Sequence, residues 1–259
     1  MTTTLAQAQR MGATRAIALC HCFAGALEFQ AGHWSTAEAA LRKSIQLYRE
    51  IGAASGEALA CQRLGVLQTA HGKLAEGLAT LNEGLVAAER ALMRAHCLTR
   101  VYAALARNRL AAADLSAADH ALTLGLAMSE RHGNCATCDA LLLAVAISVR
   151  VTQGDFVAAE TFCRQLDAAA EKYASRMWVA MARQSRGELA TAQGKLDDAL
   201  RYYAEAQAGF TTAGNEYEAA RCLAATASIR LVRGAPGDLE AAPIVQAEAQ
   251  QIFEQLGAS

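Results

Sequence analysis

The sequence predicts an all-α protein, an α-solenoid of about six helix-turn-helix repeats of roughly 40 residues with a capping helix at the C-terminus. Three observations lead there. Gly32, Gly72, Gly154, Gly194 and Gly234, with Ala113 in the same series, recur at intervals of 40 or 41 residues. Each of them follows an apolar segment of helical character. Alanine and leucine dominate the chain, prolines number only two, and aromatic residues make up 5%. Alanine and leucine lose little entropy in a helix, so this composition favours closely packed helices over a β-sandwich core.

The register gives one repeat domain over residues 1–259, with units at about 13–53, 54–93, 94–133, 134–174, 175–214 and 215–259. In the first unit a helix ends at Gly32, and a second opens with Trp34, passes Ala37 and Leu41, and closes at Gly52. The second unit repeats the pattern with Gly72, Leu74, Gly77 and Leu81. In the third, Ala113 takes the turn, Leu115, Ala118 and Leu122 follow, and Gly133 ends the second helix. The fourth has Gly154, Phe156, Ala159 and Cys163, and the fifth has Gly194, Leu196, Ala199 and Tyr203, closing at Gly214. Seven residues before each turn stand Gly25, Gly65, Ala106, Ile147, Gly187 and Ala227, mostly small. Small residues let the two helices of a hairpin approach, and the large ones fill the space beside them. Each hairpin then leaves an apolar face that only its neighbour covers. The glycines that close second helices suit left-handed C-terminal caps. In the sixth unit Gly234-Ala-Pro-Gly237 forms a loop, and Pro243 places the start of the last helix nearby, so that it runs from about Ile244 to Leu256.

Leu64-Gly65 with Gly72, Gly77 and Leu81, and Gly187 with Gly194, Ala199 and Tyr203, carry the small-residue and aromatic pattern of tetratricopeptide repeats, which the chain resembles from about residue 13 to 235. The period is longer than the family's usual 34 residues, and its early tryptophan and closing proline are missing. The longer unit, with Tyr48-Arg-Glu-Ile-Gly52 and Gln207-Ala-Gly-Phe-Thr-Thr-Ala-Gly214, is similar to the C-terminal repeat regions of large LuxR-type bacterial transcription regulators. The resemblance implies a right-handed solenoid whose first helices line a concave groove for a protein, a peptide or a small effector. Carried over position by position, the polar groove residues are Gln62, Arg100, Arg107, Gln184, Glu188 and Arg221. Such a groove suits an amphipathic peptide or a ligand whose anionic group is held by Arg100 and Arg107; the bland alternative is that both are ordinary solvated helix residues.

His132-Gly-Asn-Cys135-Ala-Thr-Cys138 brings ligand-type residues together at the start of a helix, where residues three apart share a side and thiolates are stabilised. Cys97 occupies in the third unit the position that Cys138 holds in the fourth, and His96 is beside it. Cys97, His132, Cys135 and Cys138 therefore form a candidate set for zinc or another soft metal; otherwise no cofactor is expected. Against that stands the ordinary role of cysteine as core filler in alanine-rich helices. Cys61, Cys163 and Cys222 read that way, and the adjacent Cys20, His21 and Cys22 diverge by about 100° per residue and cannot share one ion.

A net charge of −1 without any lysine- or arginine-rich run argues against direct nucleic-acid binding. The longest largely apolar run, Ala140 to Val149 with Ser148 inside it, is too short for a bilayer, so no membrane partner and a cytoplasmic protein are expected. Neither HExxH nor GxSxG nor GxGxxG occurs. The expected function is thus regulatory binding without catalysis, in a signalling protein or as the sensor part of a bacterial regulator. A metal or thiol sensor and a passive assembly scaffold are the alternatives, and self-association as a homodimer stays open.

Overall fold

The structure, a computed structural model, describes residues 2–132 and 135–258, apart from the side chains of Thr2, His132 and Ala136. Gly133, expected to end a helix, lies outside the described residues. The described residues form helices and turns without a strand: α1 (Thr2–Arg10), α2 (Thr14–Gln30), α3 (Trp34–Glu50), α4 (Ala54–Ala70), α5 (Leu74–Glu89), α6 (Arg94–Ala111), α7 (Leu115–His132), α8 (Ala136–Thr152), α9 (Phe156–Lys172), α10 (Arg176–Ala192), α11 (Leu196–Thr212), α12 (Glu216–Arg233) and α13 (Asp238–Leu256). Five of the expected hairpins are paired among the described residues: α2 packs on α3, α4 on α5, α6 on α7, α10 on α11 and α12 on α13. Helix α1, ahead of the first repeat, packs on α2. None of the described helices is long and apolar enough to cross a membrane.

The turns explain the spacing. After the first helix of a hairpin the chain enters the left-handed region, and the next N–H reaches the carbonyl five residues back: His33 to Glu28 (2.8 Å), Lys73 to Gln68 (2.9 Å), Asp114 to Arg109 (2.9 Å) and Lys195 to Ala190 (2.9 Å). This bond satisfies carbonyls that the helix end leaves unpaired. Ala113 adopts the same conformation as the glycines, with φ of 58°, and so does Ala174 with φ of 46°. A Cβ makes that backbone costly, so these two turns are held by their surroundings and not by residue preference. Asp114 compensates in part by capping α7, its carboxylate accepting from the Ala117 N–H at 3.0 Å.

Residues 1–142 and 143–259 form two compact units, the division falling within α8. In the first, Ala18, Cys22, Leu41, Tyr48, Cys61, Leu64 and Leu67 belong to one buried cluster that runs through two hairpins. A Cβ on Gly25 would lie 2.6 Å from Leu41 Cγ, and one on Gly65 would lie 2.5 Å from Leu81 Cγ. These positions are where the helices of each hairpin touch. Neighbouring hairpins are also tied by polar groups: buried Asn108 of α6 donates to Thr69 Oγ1 (2.9 Å) and to the Leu74 carbonyl (3.1 Å).

In the second unit the same contact recurs between Gly187 and Tyr203, where a Cβ would meet the ring at 2.9 Å. The last helix departs from expectation. It begins at Asp238 rather than near Ile244 and runs through Pro243. The proline forfeits one intrahelical hydrogen bond, but Asp238 anchors the start. Its carboxylate, 1% exposed, accepts from Arg233 Nε and Nη2 (both 2.8 Å), Arg230 Nη1 (3.1 Å) and the Ala235 N–H (3.0 Å). Hydrogen bonding from Arg233, ahead of the other contacts, holds the Asp238 pKa at about 2.

Candidate ligand-binding site

In the first unit α2, α4 and α6, the first helices of their hairpins, pack on one another, α4 touching both α2 and α6. The polar residues expected in a groove lie on this row. Gln62 of α4 is 6% exposed, and its buried Oε1 has no hydrogen-bond partner among the described residues. Arg100 of α6 is half-buried, and its Nε is likewise buried and unpartnered. Burial first, and then the charge of Arg63, lower the Arg100 pKa. Arg63 of α4 donates Nη1 to the Cys22 carbonyl at 3.0 Å and to Cys22 Sγ at 3.3 Å, with its guanidinium 4.5 Å from the centre of the Phe23 ring. Among the described residues no carboxylate forms an ion pair with Arg63 or Arg100. Arg63 lies near enough for its like charge to act on Arg100, and a cation withdrawn from water is ordinarily paired.

The expected partner of Arg100 was Arg107. That residue is half-buried further along α6 and has a partner of its own. Arg63, one residue beyond Gln62, is the cation that joins Arg100 instead. Sequence reasoning passed over it because it selected one face of α4 at helical spacing. The visible signal was the aromatic Phe23 on the preceding first helix, a natural face for an arginine.

The second unit is different. Gln184 donates to Glu218 Oε2 at 2.9 Å, Arg221 donates to the same oxygen at 2.8 Å, and Glu188 accepts from Ser148 Oγ at 2.8 Å. The charge of Glu218 is the leading cause of a raised Arg221 pKa. Glu218, absent from the sequence-based set, is the acceptor that organises this row. Each of the three expected residues is hydrogen-bonded here, Gln184 and Arg221 to Glu218 and Glu188 to Ser148.

The cysteine group forms within the first unit. Cys135 and Cys138 are joined as a disulfide at the start of α8, and Cys138 is fully buried. Cys138 Sγ lies 3.3 Å from His96 Nδ1. Cys97 turns elsewhere: it is buried, burial raises its thiol pKa, and a hydrogen bond with Ser55 partly offsets this. Among the described residues His96 is the histidine beside the pair and Cys97 is not part of the group; the side chain of His132 lies outside the described residues.

Stacked helical hairpins with left-handed turns, close small-residue contacts and a row of first helices define a helical-repeat protein of the tetratricopeptide class. More specifically, the chain belongs to the MalT-like TPR region family, which it matches over residues 13–258. No curated protein matches it. Among solved structures it is similar to BtubC (BKLC) from P. vanneervenii, with 16% identity, 90% of this chain and 93% of that chain covered, and a TM-score of 0.54. At that identity the likeness concerns the fold.

Proposed function

We infer that this chain is a regulatory binding module that works without catalysis, and that its first unit holds the anionic group of an effector or peptide between Arg63 and Arg100. The observation that carries this reading is the buried, unpartnered Nε of Arg100, together with the like charge of Arg63 acting on it, the lack of a carboxylate partner for either arginine among the described residues, and the unpartnered Oε1 of Gln62 on the same row of helices. A carboxylate or phosphate placed there accepts from both arginines, and charge-assisted bonds of this kind are about twice as strong as neutral ones. Gln62 Oε1 adds an acceptor for a hydroxyl or amide on the same ligand. The reading suits the sensor part of a cytoplasmic bacterial regulator, in which occupancy at α2, α4 and α6 stiffens the hairpins and alters what they present to a partner. Contact with DNA falls to another part of such a regulator.

A thermal-shift panel of citrate, other small di- and tricarboxylates, inorganic phosphate and sugar phosphates tests it, with sodium chloride matched for ionic strength. A compound present at 100 times its Kd stabilises by about 2.7 kcal/mol, or roughly 5–10 °C for a chain of this size. At least one anion is expected to give such a shift in the wild type and none in Arg63→Ala or Arg100→Ala, while Arg107→Ala keeps the response. Equal shifts in wild type and Arg100→Ala would remove the site. A chain indifferent to every anion that still captures a protein partner would instead be a scaffold.

A further inference from the structure

We propose that reduced Cys135 and Cys138, together with His96, bind a thiophilic divalent cation, zinc foremost, and that the Cys135–Cys138 disulfide is the oxidised, metal-free state of the same site. The Nδ1 or Nε2 of His96 and the two Sγ atoms all lie within 4.8 Å of one another. A tetrahedral ion with Zn–S of about 2.3 Å and Zn–N of about 2.0 Å needs ligand atoms roughly 3.5–3.8 Å apart. His96 Nδ1 and Nε2 lie 3.3 and 3.7 Å from Cys138 Sγ, the first slightly short of that spacing and the second within it. Only the sulfurs must separate on reduction, and Cys135, half-exposed just before α8, has the freedom to turn.

Charge supports the assignment. Two thiolates and a neutral imidazole balance a divalent cation, so the occupied site is neutral. Cys138 is 0% exposed, and a bare thiolate at such a position is costly. The start of α8 favours sulfur in its anionic form, with the Cys138 N–H facing Cys135 Sγ at 3.4 Å. Ser129 Oγ of α7 donates to Asp139 at 2.6 Å and steadies the first turn that carries Cys138. Three protein ligands leave a fourth position for water or an incoming group, as in open zinc sites.

Oxidation and metal release are one balanced event. A hydroperoxide takes two electrons from the two thiolates, the sulfurs bond to each other, and the O–O bond breaks. With two protons this yields an alcohol and water, and the cation departs. A phosphine or dithiol returns both thiols and restores the site. The assignment uses neither Arg63 nor Arg100, so it stands or falls apart from the anion site.

The full chain, reduced with a phosphine and stripped of metal, is titrated with cobalt(II) and then zinc(II). One cobalt per chain with a thiolate charge-transfer band, displaced by zinc, is expected. Cys135→Ser should abolish the band; because Cys135 is not deeply buried, this variant keeps the fold, as circular dichroism checks. His96→Ala should weaken zinc by at least the roughly 10- to 100-fold that losing even an outer partner costs. Cys97→Ser should leave binding intact. Hydroperoxide should release the zinc and leave a peptide pair cross-linked through Cys135 and Cys138. A reduced wild type without the band, a band that survives Cys135→Ser, or one that disappears with Cys97→Ser overturns the proposal.

Discussion

Phe210→Ala is expected to destabilise the second unit by about 3–5 kcal/mol, the largest single effect foreseen for this chain. Phe210 of α11 is wholly buried in a cluster with Ala180, Ala199, Tyr203, Ala206, Ala219 and Cys222. Most of these buried neighbours are alanine or cysteine, which cannot extend into the space that a missing ring would leave. The residue also lies at a helix end under strict geometric demand: its carbonyl accepts from the Asn215 N–H at 2.9 Å across the turn at Gly214. Chemical denaturation followed by circular dichroism measures the effect. The unfolding midpoint should fall without a change in slope. A loss below about 1 kcal/mol would mean that the α10–α12 packing described here is not formed in solution.

The second large effect is expected at the contact inside the second hairpin. Gly65→Leu should cost about 1–3 kcal/mol, since even its Cβ would lie 2.5 and 2.6 Å from Leu81 Cγ and Cδ2. Leu81→Ala, which empties the other side of the same contact, should cost about 2–5 kcal/mol. Leu81 is 0% exposed, so its removal opens a cavity. The informative measurement is the cycle of Gly65→Ala, Leu81→Ala and both together. Here the new methyl group occupies part of the vacated space, and the double variant should be more stable than the sum of the singles by about 0.5–3 kcal/mol. Strict additivity would show that the helices do not meet at these residues.

Why so much of the fold was legible follows from what a repeat requires. A turn that must enter the left-handed region leaves a glycine in the sequence, and a close helix contact leaves a small residue opposite a large one. Both marks recur with the period of the hairpin, so each copy confirms the others. Ala113 shows the strength of this: the spacing assigned it a turn that its chemistry disfavours, and it adopts φ of 58°. Features outside the period were harder to read. Helix α1 belongs to no repeat. The early start of α13 depends on Asp238 meeting Arg230 and Arg233, contacts that no spacing rule announces.

The site was less legible for a similar reason. Helical spacing gives the face of a residue but not the reach of its side chain. It points to Gln62 and Arg100 but passes over Arg63, whose long side chain crosses to Cys22 and Phe23 of the neighbouring hairpin. It chose Cys97 over His96 as a companion of Cys138. Adjacent helical residues point about 100° apart, and Cys97 meets Ser55 while His96 faces Cys138. In the second unit, spacing points to Gln184, Glu188 and Arg221 as polar groove residues, but the pairing of Gln184 and Arg221 with Glu218, and of Glu188 with Ser148, appears only in three dimensions.

Native mass spectrometry of the full chain purified from its producing cells, set beside an Arg63→Ala/Arg100→Ala variant, tests the binding role most directly. A bound anionic compound should add discrete mass to the wild type and be missing from the variant, whose helicity stays the same. Two proteins that each show only the mass of their own chain, or that carry the same added mass above it, would contradict the assignment of these arginines to ligand binding.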